Sequence, residues 1–123
     1  MPRATRTLLE NAGNSFRRSQ NLGRFSDTAV MVEGSLGSAD RADFFKITLL
    51  NRSYASILLS DLQSNLDVEL YDRNRRLVGR LNQPSTRREY SSGDTASGEY
   101  YLKVYPRGNG TSTYKLTILT ATL

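Results

Sequence analysis

The chain has 123 residues, enough for one ordinary hydrophobic core but not two. It is 37% hydrophobic and 24% charged, with a net charge of +5, a balance that suits a folded globular domain and excludes a disordered chain. Cysteine and histidine are both absent. That excludes disulfides, thiolate nucleophiles, cysteine–zinc sites and every serine–histidine or cysteine–histidine catalytic pair. No apolar run reaches the roughly 18 residues of a membrane-spanning helix, so no membrane insertion is expected.

The charge is unevenly spread. Residues 1–26 hold five arginines and one glutamate, residues 27–70 hold three basic and seven acidic residues, and residues 71–90 hold six arginines with Asp72 and Glu89. An acidic stretch therefore lies between two basic ones. The three lysines, Lys46, Lys103 and Lys115, fall at alternating, strand-like positions. A serine–lysine or carboxylate pair is the only catalytic chemistry left, and nothing in the spacing supports it, so the chain is expected not to be an enzyme.

In chain order, residues 1–26 are polar and weakly periodic, and they read as a basic arm with a short helical turn near residues 15–20. No apolar core of signal-peptide length follows Met1. The expectation is an intracellular protein or a piece of a longer exported one. From Asp27 the hydrophobic period becomes two. Val30 and Val32 begin it. Phe45, Ile47 and Leu49 alternate with Phe44, Lys46 and Thr48. Ala55, Ile57 and Leu59 follow, then Leu66, Val68 and Leu70 alternating with Asp67, Glu69 and Tyr71. Leu77 to Leu81 is a shorter run. Tyr100, Leu102 and Val104 alternate with Tyr101, Lys103 and Tyr105, and Tyr114, Leu116 and Ile118 close the chain. Turn residues separate the runs, as at Gly34-Ser35-Leu36-Gly37, Asp72-Arg73-Asn74-Arg75 and Pro106-Arg107-Gly108. Seven or eight half-buried strands predict an all-β antiparallel sandwich over residues 27–123, preceded by the arm. The predicted core is Val30, Val32, Phe45, Ile47, Ile57, Leu59, Leu66, Val68, Leu70, Tyr100, Leu102, Val104, Leu116 and Ile118.

An ordered set of blocks adds a family likeness. It runs from Asn14-Ser15 and Asn21-Leu22-Gly23 through Val32-Glu33-Gly34-Ser35-Leu36 and Asp40-Arg41-Ala42-Asp43-Phe44-Phe45. It continues with Asn65-Leu66-Asp67-Val68-Glu69-Leu70-Tyr71-Asp72 and Ser97-Gly98-Glu99-Tyr100-Tyr101-Leu102-Lys103-Val104, ending at Tyr114-Lys115-Leu116. Over residues 11–119 this resembles the bacterial pre-peptidase C-terminal domain of the cyanobacterial type, a relative of the collagen-binding domain of clostridial collagenases. The resemblance implies a jelly-roll-like β-sandwich. It also implies a non-catalytic accessory module of an exported protein, often a protease, that aids secretion or binds substrate. The setting it implies is extracellular or periplasmic, and the partners are a protein or polysaccharide ligand or a parent peptidase domain. The chain departs from the family at the turn of residues 72–76, where a glycine is common. Asn74 is the residue here that suits a left-handed conformation.

Four groups are candidate sites. Asp40 and Asp43 lie three apart in a loop, where calcium, which takes six to eight oxygens, would recruit both. The resemblance implies that such a pair meets an acidic N-terminal segment, for which Glu10 and Asn14 stand here. The plain alternative is that Asp40 caps a turn and Asp43 pairs with an arginine such as Arg41. Asp67, Glu69 and Asp72 read as a solvated strand face. Arg73, Arg75, Arg76 and Arg80, with Arg87 and Arg88 beyond, form a basic patch that either protects a sheet edge or meets acidic partners. Nucleic-acid binding is disfavoured because few aromatics lie nearby. Tyr101, Lys103 and Tyr105 share one outward face, as cross-strand packing or as a binding surface. In the collagen-binding relatives, surface tyrosines contact the ligand. The leading expectation is an accessory binding module. The alternative is a free-standing intracellular binder of acidic partners or nucleic acid through the arm and the arginine hairpin.

Overall fold

The computed structural model describes residues 5–37, 41–82, 89–108 and 110–123. Among them are ten strands: β1 (Thr5–Leu9), β2 (Gln20–Phe25), β3 (Ala29–Leu36), β4 (Asp43–Leu49), β5 (Ser53–Ser60), β6 (Leu66–Asp72), β7 (Leu77–Leu81), β8 (Glu89–Thr95), β9 (Gly98–Pro106) and β10 (Ser112–Thr122). A single 3-10 turn, Phe16–Arg18, lies between β1 and β2. The first sheet has the order β1-β3-β10-β5-β8 and the second β2-β4-β9-β6-β7. Neighbours pair antiparallel except β1 with β3 and β2 with β4, which are parallel.

The chain is thus the all-β sandwich its alternation predicts, with three more strands than the clear hydrophobic runs. Two of them come from the segment read as an arm, which supplies an edge strand to each sheet. β2 carries only two buried residues, Leu22 and Phe25, and in β1 Leu8 alone packs against the core. They are strands because their backbone groups find partners on β3 and β4, not because their own pattern demands it.

Alternation sets what each sheet buries. β10, central in the first sheet, turns Ser112, Tyr114, Leu116, Ile118 and Thr120 inward. β9, central in the second, turns Leu102 and Val104 inward. Twelve of the fourteen predicted core residues are buried, joined by Leu22, Phe25, Leu36, Leu49, Leu81 and Tyr114. Leu70 and Tyr100 are only partly buried. Both line a lateral cleft of about 210 Å³ between β7 and β8, the far edges of the two sheets, where the sandwich is open.

Candidate functional site

The outer face of the second sheet carries the richest set of side chains. In register across it, Glu69 lies opposite both Lys103 and Arg80, Tyr71 opposite Tyr101, and Asp67 opposite Tyr105. On the other side of β9, Phe44 lies opposite Lys103 and Lys46 opposite Tyr101. Tyr101, Lys103 and Tyr105 therefore stand in one row on that face. They are half-buried, because neighbours pack against them. The Lys103 ammonium sits 4.8 Å from the centre of the Tyr105 ring and 5.9 Å from that of Phe44.

Glu69 is the hub of the face. Its carboxylate accepts hydrogen bonds from the Tyr71 hydroxyl and, at 3.3 Å, from the Tyr105 hydroxyl, and Arg80 lies 3.2 Å away. Burial pushes the Glu69 carboxyl up, but the two tyrosine hydrogen bonds and the charges of Lys103 and Arg80 outweigh it and hold it below the ordinary range. Burial, then the nearby Glu69 charge, raises Tyr105, and Tyr71 moves strongly the same way. Tyr105 is thus held by a charge-assisted bond to Glu69, and Lys103 by the two rings beneath it.

Asp67 is not the solvated residue its alternation suggests. Its side chain is 0% exposed, and neither carboxylate oxygen accepts a hydrogen bond. It is paired with Arg107, 3.3 Å away and 58% exposed. Burial is the main cause of the raised Asp67 pKa, with Arg107 pulling the other way. Alternation tells which face a residue takes, not whether that face is covered.

Part of the cover is Phe16. Its ring lies 4.9 Å from Phe44, 5.1 Å from Tyr71 and 5.3 Å from Tyr101, edge-on to both tyrosines. The Arg75 guanidinium sits over it at 5.0 Å. Gly13 anchors this loop, with its N–H donating to the Arg18 carbonyl and its carbonyl accepting from the Phe44 N–H. Alternation places Tyr71 outward with Glu69, but sequence reasoning did not group it, or Phe16, with Tyr101, Lys103 and Tyr105. The available sign was Phe44, a large aromatic at an outward register position.

The arginine hairpin divides. Arg73, Arg75 and Arg76 are exposed on the turn between β6 and β7, Arg80 is drawn to Glu69, and Arg87 and Arg88 lie outside the described residues. The left-handed residue of the turn is Arg75, with φ of 64°, rather than Asn74. Asp72 sets this geometry: its carboxylate accepts the N–H groups of Asn74 and Arg76, and its backbone closes on Arg75 and Arg76.

The candidate calcium residues come together in part. Asp43 is buried, and its carboxylate accepts a 2.5 Å hydrogen bond from the Tyr114 hydroxyl. Gly34 makes room for this: a Cβ there would stand 2.7 Å from the Tyr114 hydroxyl and 2.8 Å from the Glu10 Cβ. Glu10 therefore adjoins the same corner, with its own carboxylate accepting the Ala12 N–H. Asn14 follows Gly13, whose carbonyl meets the Phe44 N–H. Asp40 lies outside the described residues, and Arg41 donates to the Gly108 carbonyl. Among the described residues no three acidic side chains gather around one point, so these account for only part of a calcium shell.

No helix of the described residues is long and apolar enough to cross a membrane. The two sheets, their ten strands and a buried apolar interior place the chain among the β-sandwich domains. Its fold is similar to that of the pre-peptidase C-terminal domain of the collagenase from Bacillus anthracis, with a TM-score of 0.69 and 19% identity over 85% of this chain and 99% of that one. The sequence resemblance is thereby borne out at the level of the fold. More distant likenesses are the periplasmic inhibitor of g-type lysozyme PliG of Aeromonas hydrophila (TM-score 0.50, 14% identity, 97% of this chain and 99% of that one) and the mitogen of Yersinia pseudotuberculosis (TM-score 0.52, 12% identity, 74% and 84%). No family model and no curated protein matches the chain.

Proposed function

We propose that the chain is a non-catalytic binding module of an exported protein, holding a protein or polysaccharide ligand on the outer face of its second sheet. The observation that carries this is the row Tyr101, Lys103 and Tyr105 on the central strand β9, with Tyr105 bonded to Glu69 and Tyr101 packed against Phe16. Preorganised tyrosines offer contact area and a polar tip with little loss of side-chain freedom on binding. Asp67 and Glu69, the carboxylate pair on this face that a hydrolase would use, are engaged with Arg107 and Arg80. The likeness to a domain of a collagenase supports attachment to a secreted enzyme. Binding to immobilised gelatin and to insoluble polysaccharide tests the reading: Tyr105→Ala is expected to weaken retention at least several-fold while circular dichroism shows the sandwich still folded at the assay temperature. Full retention by that variant would refute it.

The reading includes calcium as a stabilising ion at the Asp43 corner, with Asp40 and Asn14 completing the donors that Glu10 and Asp43 begin. Millimolar calcium is then expected to raise Tm. An unchanged Tm would remove calcium from the reading and leave the binding face untouched.

A further inference from the structure

Two arginine-bearing segments meet at one ring. Phe16 opens the turn that carries Arg17 and Arg18, and Arg75, from the turn between β6 and β7, lies over that ring. Arg73 and Arg76 flank Arg75 in sequence. Arg17, Arg18, Arg73, Arg75 and Arg76 are all exposed, and none forms an ion pair with a described acidic residue. By contrast Lys46, Arg52, Arg80, Arg107 and Lys115 each have an acidic partner. The nearest carboxylate in sequence, Asp72, is directed to the backbone N–H groups of its own turn.

A second observation points to the same place. Arg75 holds a positive φ of 64°, a conformation that glycine or asparagine adopts with less strain. A long side chain kept in that conformation, with its guanidinium seated on Phe16, fixes a cation where the two segments join. Strain retained at an exposed position is a pointer to function.

We infer that these five arginines form a polyanion site for a linear acidic polysaccharide bearing carboxylate or sulfate groups. This goes beyond the outer-face reading and uses other residues. Guanidinium forks engage such oxyanions two oxygens at a time, and unneutralised cations close together favour a polymer that sheds its counterions on binding. Nucleic acid fits less well. The Phe16 ring is covered by Arg75 and flanked edge-on by Tyr71 and Tyr101, so no base stacks on it.

Calorimetric titration with heparin, polygalacturonate and a short DNA duplex tests this at several salt concentrations. Heparin or polygalacturonate is expected to bind with a steep salt dependence. Arg73→Glu with Arg76→Glu, and separately Arg17→Glu with Arg18→Glu, should each weaken binding roughly tenfold or more and flatten the salt slope. The control Arg52→Glu with Lys115→Glu, which changes net charge equally from β10 and the turn before β5, should stay within about twofold. The proposal is overturned by absence of binding, by a control that loses as much as the patch variants, or by duplex DNA binding as tightly as the polysaccharides. Tyr105→Ala should leave heparin binding intact, so failure of the outer-face reading shows separately.

Discussion

The Tyr114 hydroxyl on β10 donates to the Asp43 carboxylate on β4 at 2.5 Å, a buried bond between the two sheets. Asp43 is 0% exposed, so its charge depends on what the interior supplies. Tyr114→Phe keeps the ring and removes the donor, leaving a buried carboxylate with one partner fewer. The expected cost is about 1–3 kcal/mol, read as a Tm lower by several degrees in scanning calorimetry. Combined with Asp43→Asn, which keeps an acceptor but removes the charge that strengthens the bond, it should cost less than the two single changes added, since both act on the same bond. Strict additivity would count against the pair.

Two carboxylates on β6 should respond to pH in opposite directions. Asp67 has a raised pKa in the fold, chiefly through burial, so the folded state holds its proton more tightly than the unfolded chain. Its contribution is full below the unfolded value, about 3.9, and is lost as pH rises through the folded value. Glu69 is lowered, so its contribution is full above the unfolded value, about 4.3, and is lost as pH falls through the folded one. At pH 7, Asp67→Asn is expected to leave stability unchanged or raised, because the partner it abandons, Arg107, is 58% exposed and stays hydrated. Glu69→Gln should lower stability at pH 7, and the deficit should shrink below the ordinary carboxylate range. Urea midpoints at neutral and acid pH measure both signs.

These two residues also mark where sequence reading stops. The alternation around Val68 and Leu70 places Asp67 and Glu69 outward correctly, and the same rule finds most of the interior. It does not find β1, β2 or β8, whose segments Thr5–Leu9, Gln20–Phe25 and Glu89–Thr95 hold few apolar residues and take strand form from the partners beside them. It overstates Leu70 and Tyr100, which face inward at the open edge between β7 and β8. The row Tyr101, Lys103 and Tyr105 is legible as a shared face. The Glu69 hub depends on register between β6, β7 and β9, and the Phe16 lid on a loop with no periodic signal, so neither is.

Phe16→Ala should expose that dependence. The ring touches Phe44, Tyr71 and Tyr101 from a loop otherwise held by the Gly13 hydrogen bonds. The site is half-buried, so the loss should be about 1–3 kcal/mol, below the range for a fully buried phenylalanine. The Phe44 amide, bonded to the Gly13 carbonyl, should exchange its hydrogen faster while amides in β9 and β10 stay protected. Uniform acceleration throughout the sandwich would mean that Phe16 supports the whole fold rather than this cover.

Arg75→Gly separates strain from function at the turn. The arginine's left-handed backbone costs roughly 1–2 kcal/mol, and glycine relieves it. Against that, removing the guanidinium from the Phe16 ring forfeits a cation–π attraction of about 0.5–1 kcal/mol. Glycine's greater freedom in the unfolded chain removes roughly a further 0.4–1 kcal/mol. These effects nearly cancel, so stability should change by less than about 1 kcal/mol. Heparin affinity should nonetheless fall, because the cation joining Arg17 and Arg18 to Arg73 and Arg76 is gone. A Tm lowered by many degrees with binding retained would assign Arg75 to holding the turn, and the strain at φ 64° would then have a structural cause.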